Sequence, residues 1–149
     1  MLTSGVLFGT APTSNVPPDS RAELDAHCIQ VAAAAAGQRG DEVGQRLHEL
    51  AHRLRGIVTD GDAGAIAEEL RRIQETRGAA ADYLLEQGDD SLSEAGENYL
   101  RSSEWARRVL AIAPWSEQTA MESALELLSQ MARLEEEAAA ALVRWSHSH

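Results

Sequence analysis

The sequence predicts an all-α protein, a single-domain antiparallel helical bundle of about five helices. Three observations carry that expectation. From residue 20 onward apolar side chains recur at three- and four-residue spacing. No segment alternates apolar and polar residues with period two, and no Asn-Gly pair marks a hairpin. Apolar residues make up 44% of the chain, yet many are Ala and only 4% of residues are aromatic, which suits closely packed helices better than sheets. At 149 residues the chain has the size of one domain with a proper core.

Residues 1–19 read as a flexible arm and residues 20–149 as the helical domain. The opening stretch MLTSGVLFGTAPTSNVPPDS is rich in Ser, Thr, Pro and Gly and carries no charge before Asp19. It lacks the basic start and long apolar run of a signal peptide. A cytoplasmic location is expected, and the uncharged Ser-rich start resembles leaders used by leaderless secretion systems. No stretch reaches the length of about 18–20 apolar residues that spans a bilayer.

Helix by helix, the punctuation is as follows. Ser20 and Glu23 form a capping box before Leu24, Cys28 and Val31, whose three- and four-residue spacing predicts a first helix closing at Gly37. Asp41 is placed to cap a second helix, whose stripe is Val43, Leu47, Leu50, Leu54 and Ile57. Asp60 or Asp62 starts a third helix with Ile66, Leu70 and Ile73, continuing past Gly78 to Tyr83 and Leu84 and stopping at Gly88. Ser91 and Glu94 form another capping box, followed by Leu92, Ala95, Tyr99, Ala106 and Val109 and ended by Pro114. Ser116 is placed to cap a last helix of about 30 residues, roughly 45 Å long, with Met121, Leu128, Met131, Leu142 and Trp145 along one side. Short connections favour antiparallel neighbours.

The net charge of −11 opposes binding to nucleic acid or to anionic membranes and favours solubility and, in a partner, a basic surface. All thirteen basic residues are Arg. Cys28 is the only cysteine, so no disulfide within the chain is possible, and it is expected in the core.

The segment LHELAHRLRG, residues 47–56, carries the densest chemistry. His48, Glu49 and His52 have the H-E-x-x-H spacing of zinc hydrolases, and Glu49-x-x-His52 matches half of a di-iron carboxylate site. At about 100° per residue, however, His52 falls roughly opposite the apolar stripe and His48 about 140° from Val43. Both histidines are therefore expected to face solvent. No downstream His or Glu stands at a recognisable third-ligand spacing, so neither metal nor cofactor is expected. An outward His suits a different chemistry, phosphoryl exchange with a partner that must reach it. Arg55 at +3 can balance phosphoryl charge, and Gly56 at +4 removes bulk where the partner approaches. Residues 34–75, with AAAGQRGDEVGQRLHELAHRLRG and GDAGAIAEELRRIQE, resemble histidine phosphotransfer (HPt) domains. That resemblance implies His52 as phosphoacceptor, Arg55 and Gly56 as its supporting residues, and a receiver domain as partner.

Further on, YLRSSEWARRVLAIAPWSE, residues 99–117, resembles a tetratricopeptide (TPR)-like repeat, with small Ser102 at the helix crossing and Pro114 setting the turn. That resemblance implies a helical hairpin built for protein contact. Nothing resembles a Gly-rich phosphate loop or a Ser-His-Asp triad. The expectation drawn from all this is a non-catalytic helical interaction module, an adaptor, chaperone-like factor or regulatory subunit, able to self-associate. Trp105, Trp115 and Trp145 are its candidate anchors.

Overall fold

The computed structural model describes residues 18–39, 42–56 and 60–149. Its elements are five helices: α1 Pro18–Arg39, α2 Glu42–Arg55, α3 Asp60–Leu85, α4 Asp90–Ala111 and α5 Gln118–Ser148. Among the described residues there is no strand.

Two apolar clusters, one towards each end, fix the arrangement. The first joins Ile29, Ala32 and Ala33 of α1 to Ala80, Ala81 and Leu84 late in α3. Leu92, Ala95 and Tyr99 early in α4, and Ala138, Ala141, Leu142 and Trp145 late in α5, complete it. The second joins Leu47, Leu50, Ala51 and Leu54 of α2 to Ile66 and Leu70 early in α3, Ala106 and Val109 late in α4, and Ala124, Leu128, Met131 and Ala132 early in α5. Hence α3 and α4 run antiparallel, as do α4 and α5. Both α1 and α2 pack on α5, α1 towards its C-terminal half and α2 towards its N-terminal half. The result is a four-helix arrangement whose first member is broken in two.

The local causes are visible, and several differ from the sequence expectation. Helix α1 begins at Pro18, two residues before Ser20, so Ser20 does not cap it. Proline suits a first helical position, because its fixed φ is helical and its missing N–H would have no partner there. The helix then runs through Gly37 to Arg39. Asp41 and Ile57 lie outside the described residues. The cap of α4 is Asp89 rather than Ser91: its carboxylate accepts from the Leu92 N–H at 3.1 Å. A carboxylate at that point also complements the positive helix terminus. Helix α5 starts after Glu117, which makes no side-chain cap bond, and not after Ser116.

Two glycines matter to this frame. Gly88 turns the chain between α3 and α4 at φ 72. At Gly96, an added Cβ would lie 2.9 Å from the Leu85 side chain, so α3 and α4 approach more closely than any other residue would permit without Leu85 moving. Between α4 and α5 the buried Trp115 has φ 64, a left-handed conformation that bulky residues rarely adopt. Its indole N–H donates to the Val109 carbonyl at 2.8 Å. That bond and the second core hold the ring in place.

Cys28 of α1, expected in the core, is half-buried. Ile29, Ala32 and Ala33 point into the core, whereas Leu24 and Val31 are 39% and 40% exposed, with Cys28 and Ala35 half-buried beside them. An Ala-rich helix offers apolar faces on both sides. The bundle uses the face whose small side chains let α1 lie close against Ala138 and Ala141 of α5.

Candidate functional site

Helix α2 carries its chemistry on the side away from the core, as its wheel requires. Leu47, Leu50 and Leu54 are buried, while His48, Glu49, His52, Arg53, Arg55 and Gly56 are exposed. Two arginines spaced two helical turns apart fasten α2 to α3: Arg46 and Arg53 both reach the half-buried Glu69 carboxylate, at 3.2 and 2.9 Å. His48 and His52 stand clear of that clamp, on an uncrowded face. A Cβ added at Gly56 would make only ordinary contacts, at 3.8 and 3.9 Å, with the backbone carbonyls of Arg53 and His52.

Among the described residues, no group of three or more His, Cys, Asp or Glu side chains is placed to hold a metal ion. His48, Glu49 and His52 thus share an exposed face without a further ligand from another described element.

The tryptophans divide differently from expectation. Trp115 and Trp145 are 2% and 5% exposed and belong one to each apolar cluster, so they are core residues and not anchors for a partner. Trp105 is half-buried against the second cluster. Trp145 also stacks on His149, ring centroids 4.6 Å apart.

The most concentrated chemistry inside the molecule is one that the motifs did not announce. Arg77 of α3 and Glu135 of α5 are both buried and form a two-pronged contact through the Arg77 Nε, at 2.9 and 3.0 Å. Ser102 of α4 donates to the same carboxylate at 2.9 Å. The guanidinium lies 5.2 Å from the centroid of the Tyr99 ring, within cation–π range. One turn along α4, Ser103 donates to the Gln74 carbonyl at 2.8 Å, in the space left by Gly78. This polar layer separates the two apolar clusters and ties α3, α4 and α5 together. Burial alone would pull the Arg77 guanidinium down; the Glu135 carboxylate and the Tyr99 phenol reverse this and hold it above its ordinary value. Burial pushes the Tyr99 phenol well up, reinforced by Glu135 and opposed by Arg77. The partners named here, Glu135, Ser102, Tyr99 and the Gln74 carbonyl, all lie within the bundle.

A sequence signal for the layer exists. Glu135 stands within the stripe Leu128, Met131, Ala138, Leu142 and Trp145, at three- and four-residue steps. Arg77 continues Ile66, Leu70 and Ile73, and Ser102 continues Leu92, Ala95 and Tyr99 in the same way. A polar residue in a strict core register on three helices is the mark of a buried network.

Between α1 and α5 lies an open groove of about 480 Å³, floored by Ala36, Ala139, Ala140 and Val143 and rimmed by Glu136, Arg144 and His147. Arg144 is paired across to Glu94 of α4. Among the described residues the exposed large apolar side chains are Leu24 and Val31 on α1, Leu85 at the end of α3 and Leu100 on α4. Cys28 on α1 is a free thiol. Asp25 is tied to the bundle by the Tyr83 hydroxyl, which donates to it at 2.7 Å.

No helix among the described residues is long and apolar enough to cross a membrane. Set against known protein families, curated proteins and solved structures, the chain shows no significant match. Its function is therefore argued from its own side chains.

Proposed function

We propose that this chain is a non-catalytic helical interaction module, an adaptor, chaperone-like factor or regulatory subunit, that takes up a helix of a further protein chain on the outer face of α1. One observation carries the reading: Leu24, Cys28, Val31 and Ala35 form a four-residue apolar stripe beside the packed face of α1, with Leu24 and Val31 exposed and Cys28 and Ala35 half-buried. Their spacing of four, three and four residues is the seam spacing of a helix that packs against another helix. A helix apolar on two sides is ordinarily covered on both. The test is a photo-crosslinking amino acid placed at position 31 or, as a control, at the exposed Glu104 of α4. In the native cell, position 31 should give a discrete protein adduct and position 104 none. Equal labelling at both positions, or none at 31, overturns the reading.

A second reading has its own observation. His52, Arg55 and Gly56 are all exposed at the C-terminal end of α2. These features support phosphoryl transfer between His52 and the aspartate of a receiver domain. In that case label from a phosphorylated receiver should appear on His52 and vanish in His52→Gln. Arg55→Ala should slow the transfer, because a positive charge near the moving phosphoryl group stabilises its negative charge. Under the interaction reading no label appears, and partner binding survives His52→Gln.

A further inference from the structure

Resting on the interaction reading, we infer that the helix which covers the outer face of α1 is α1 of a second copy of this chain, packed antiparallel about a two-fold axis. The stripe is self-complementary in size. Along α1 it runs large, small, large, small: Leu24, Cys28, Val31, Ala35. A two-fold axis passing between Ile29 and Gln30 brings Leu24 level with the partner's Ala35 and Cys28 level with the partner's Val31. Every large side chain then meets a small one, the alternation that interdigitated helix packing needs. A parallel, in-register pair would instead set Leu24 against the partner's Leu24 and Ala35 against the partner's Ala35, leaving a clash and a gap. The same residue patch serves both protomers, as two-fold symmetry requires.

Charge points to the same surface independently. Two copies of a chain with net charge −11 repel, so any contact between them must avoid carboxylates. From Ala26 through Gly40 the sequence holds no Asp or Glu, although the chain has 24 of them. Glu23 and Asp25, at the acidic end of the stripe, come level with the partner's Ala36 and the partner's Ala34, so no carboxylate meets another. Asp25 is moreover engaged by Tyr83 of its own bundle. The stripe lies about 130° around α1 from Ile29, Ala32 and Ala33, so the second helix approaches without displacing α5. A seam of two heptads is short, which places the dimer in the small, reversible class of interfaces.

The experiment uses the full chain. Sedimentation across a concentration series should show a reversible monomer–dimer equilibrium. Leu24→Gln with Val31→Gln should weaken it about tenfold or more, a cost of roughly 1.4 kcal/mol or greater. Leu24 and Val31 are 39% and 40% exposed and lie outside the core, so helix content should stay unchanged and the melting temperature at low concentration should fall only slightly. Register is read separately, in a Cys28→Ser background. Leu24→Cys and Ala35→Cys together should give a covalent dimer on mild oxidation, linked between position 24 of one protomer and position 35 of the other. Neither substitution alone should do so, and eleven residues of helix keep the pair too far apart to bond within one chain. A dimer cross-linked by Leu24→Cys alone is parallel and overturns the proposal, as does a dimer indifferent to the glutamine changes. A monomer that dimerises only after removal of residues 1–17 overturns it in favour of that segment as occupant. A chain that stays monomeric while position 31 still gives an adduct to a different protein defeats the self-association and leaves the interaction reading standing. Failure of both defeats both.

Discussion

Single residues in this molecule are read correctly when their neighbours are counted, and misread when only their type is. His52 is polar and sits on an amphipathic helix with a single clear stripe, so its exposure follows from spacing alone. Trp115 and Trp145 belong to a type often found at interfaces, yet each closes a core. For Trp115 the deciding contact, its N–H on the Val109 carbonyl, lies across a turn that no periodicity describes. The two tyrosines, the only ones in the chain, offer a direct measurement. Burial pushes both phenols up, helped by Glu135 at Tyr99 and by the hydrogen bond to Asp25 at Tyr83. Folded values above the ordinary 10 mean that the fold favours the protonated phenol. The stability this contributes is fully present below pH 10 and is lost as the pH climbs past it. In an alkaline titration, phenolate absorbance should therefore stay absent near pH 10 and rise only together with loss of helical signal. A smooth rise centred on 10 with helices intact would show that neither ring is protected.

At the scale of elements, all five helices and most of their inward stripes were legible in the spacing of apolar residues. The exceptions have physical reasons. Of the serines expected as caps, Ser20 lies inside α1, while Ser91 and Ser116 lose the position to Asp89 and Glu117, because a cap is settled by backbone geometry at the helix end and several polar residues cluster there. Cys28, expected in the core, is half-buried because Ala fills several faces of α1, and only the close approach to α5 chooses which of them is buried. The polar layer was missed for the opposite reason: Glu135 heads a run of three glutamates that looks solvated, although its register is that of the core. The layer makes a prediction about the three long helices. With side chains 7% and 4% exposed, Arg77 and Glu135 are both costly to leave alone. Arg77→Met or Glu135→Leu by itself should destabilise by about 3–5 kcal/mol, since each strands a buried charge. The double variant should recover part of that loss, because no buried charge is then left unpaired, while the buried Ser102 hydroxyl still loses its acceptor. Chemical denaturation of the three variants measures the cycle; additive losses would mean the charges are not coupled through the buried contact.

For the whole molecule, the division into two apolar clusters implies unequal strength along the bundle. Helices α3, α4 and α5 contribute to both clusters and to the layer between them. Helix α2 joins one cluster through three fully buried leucines and is clamped by two arginines on Glu69. Helix α1 joins the other through Ile29 and two alanines, with the Tyr83–Asp25 hydrogen bond beside them. A buried leucine is worth roughly 1.5–3 kcal/mol against exposure, and an alanine much less. The free energy of opening a segment follows the apolar surface that it alone buries, so α1 is the element most easily detached. Hydrogen exchange in dilute solution should accordingly show the amides of α1 exchanging first, those of α2 next, and those of α3 to α5 only on global unfolding. Equal protection of α1 and α4 in dilute protein would contradict this order. If a second copy covers Leu24 and Val31, raising the protein concentration adds buried surface to α1 alone, and binding to the closed form favours closure. Protection of α1 should then rise with concentration while that of α2 stays fixed, and the rise should disappear in the chain carrying Leu24→Gln and Val31→Gln. The weakest element of the monomer thereby becomes the one whose stability reports on association.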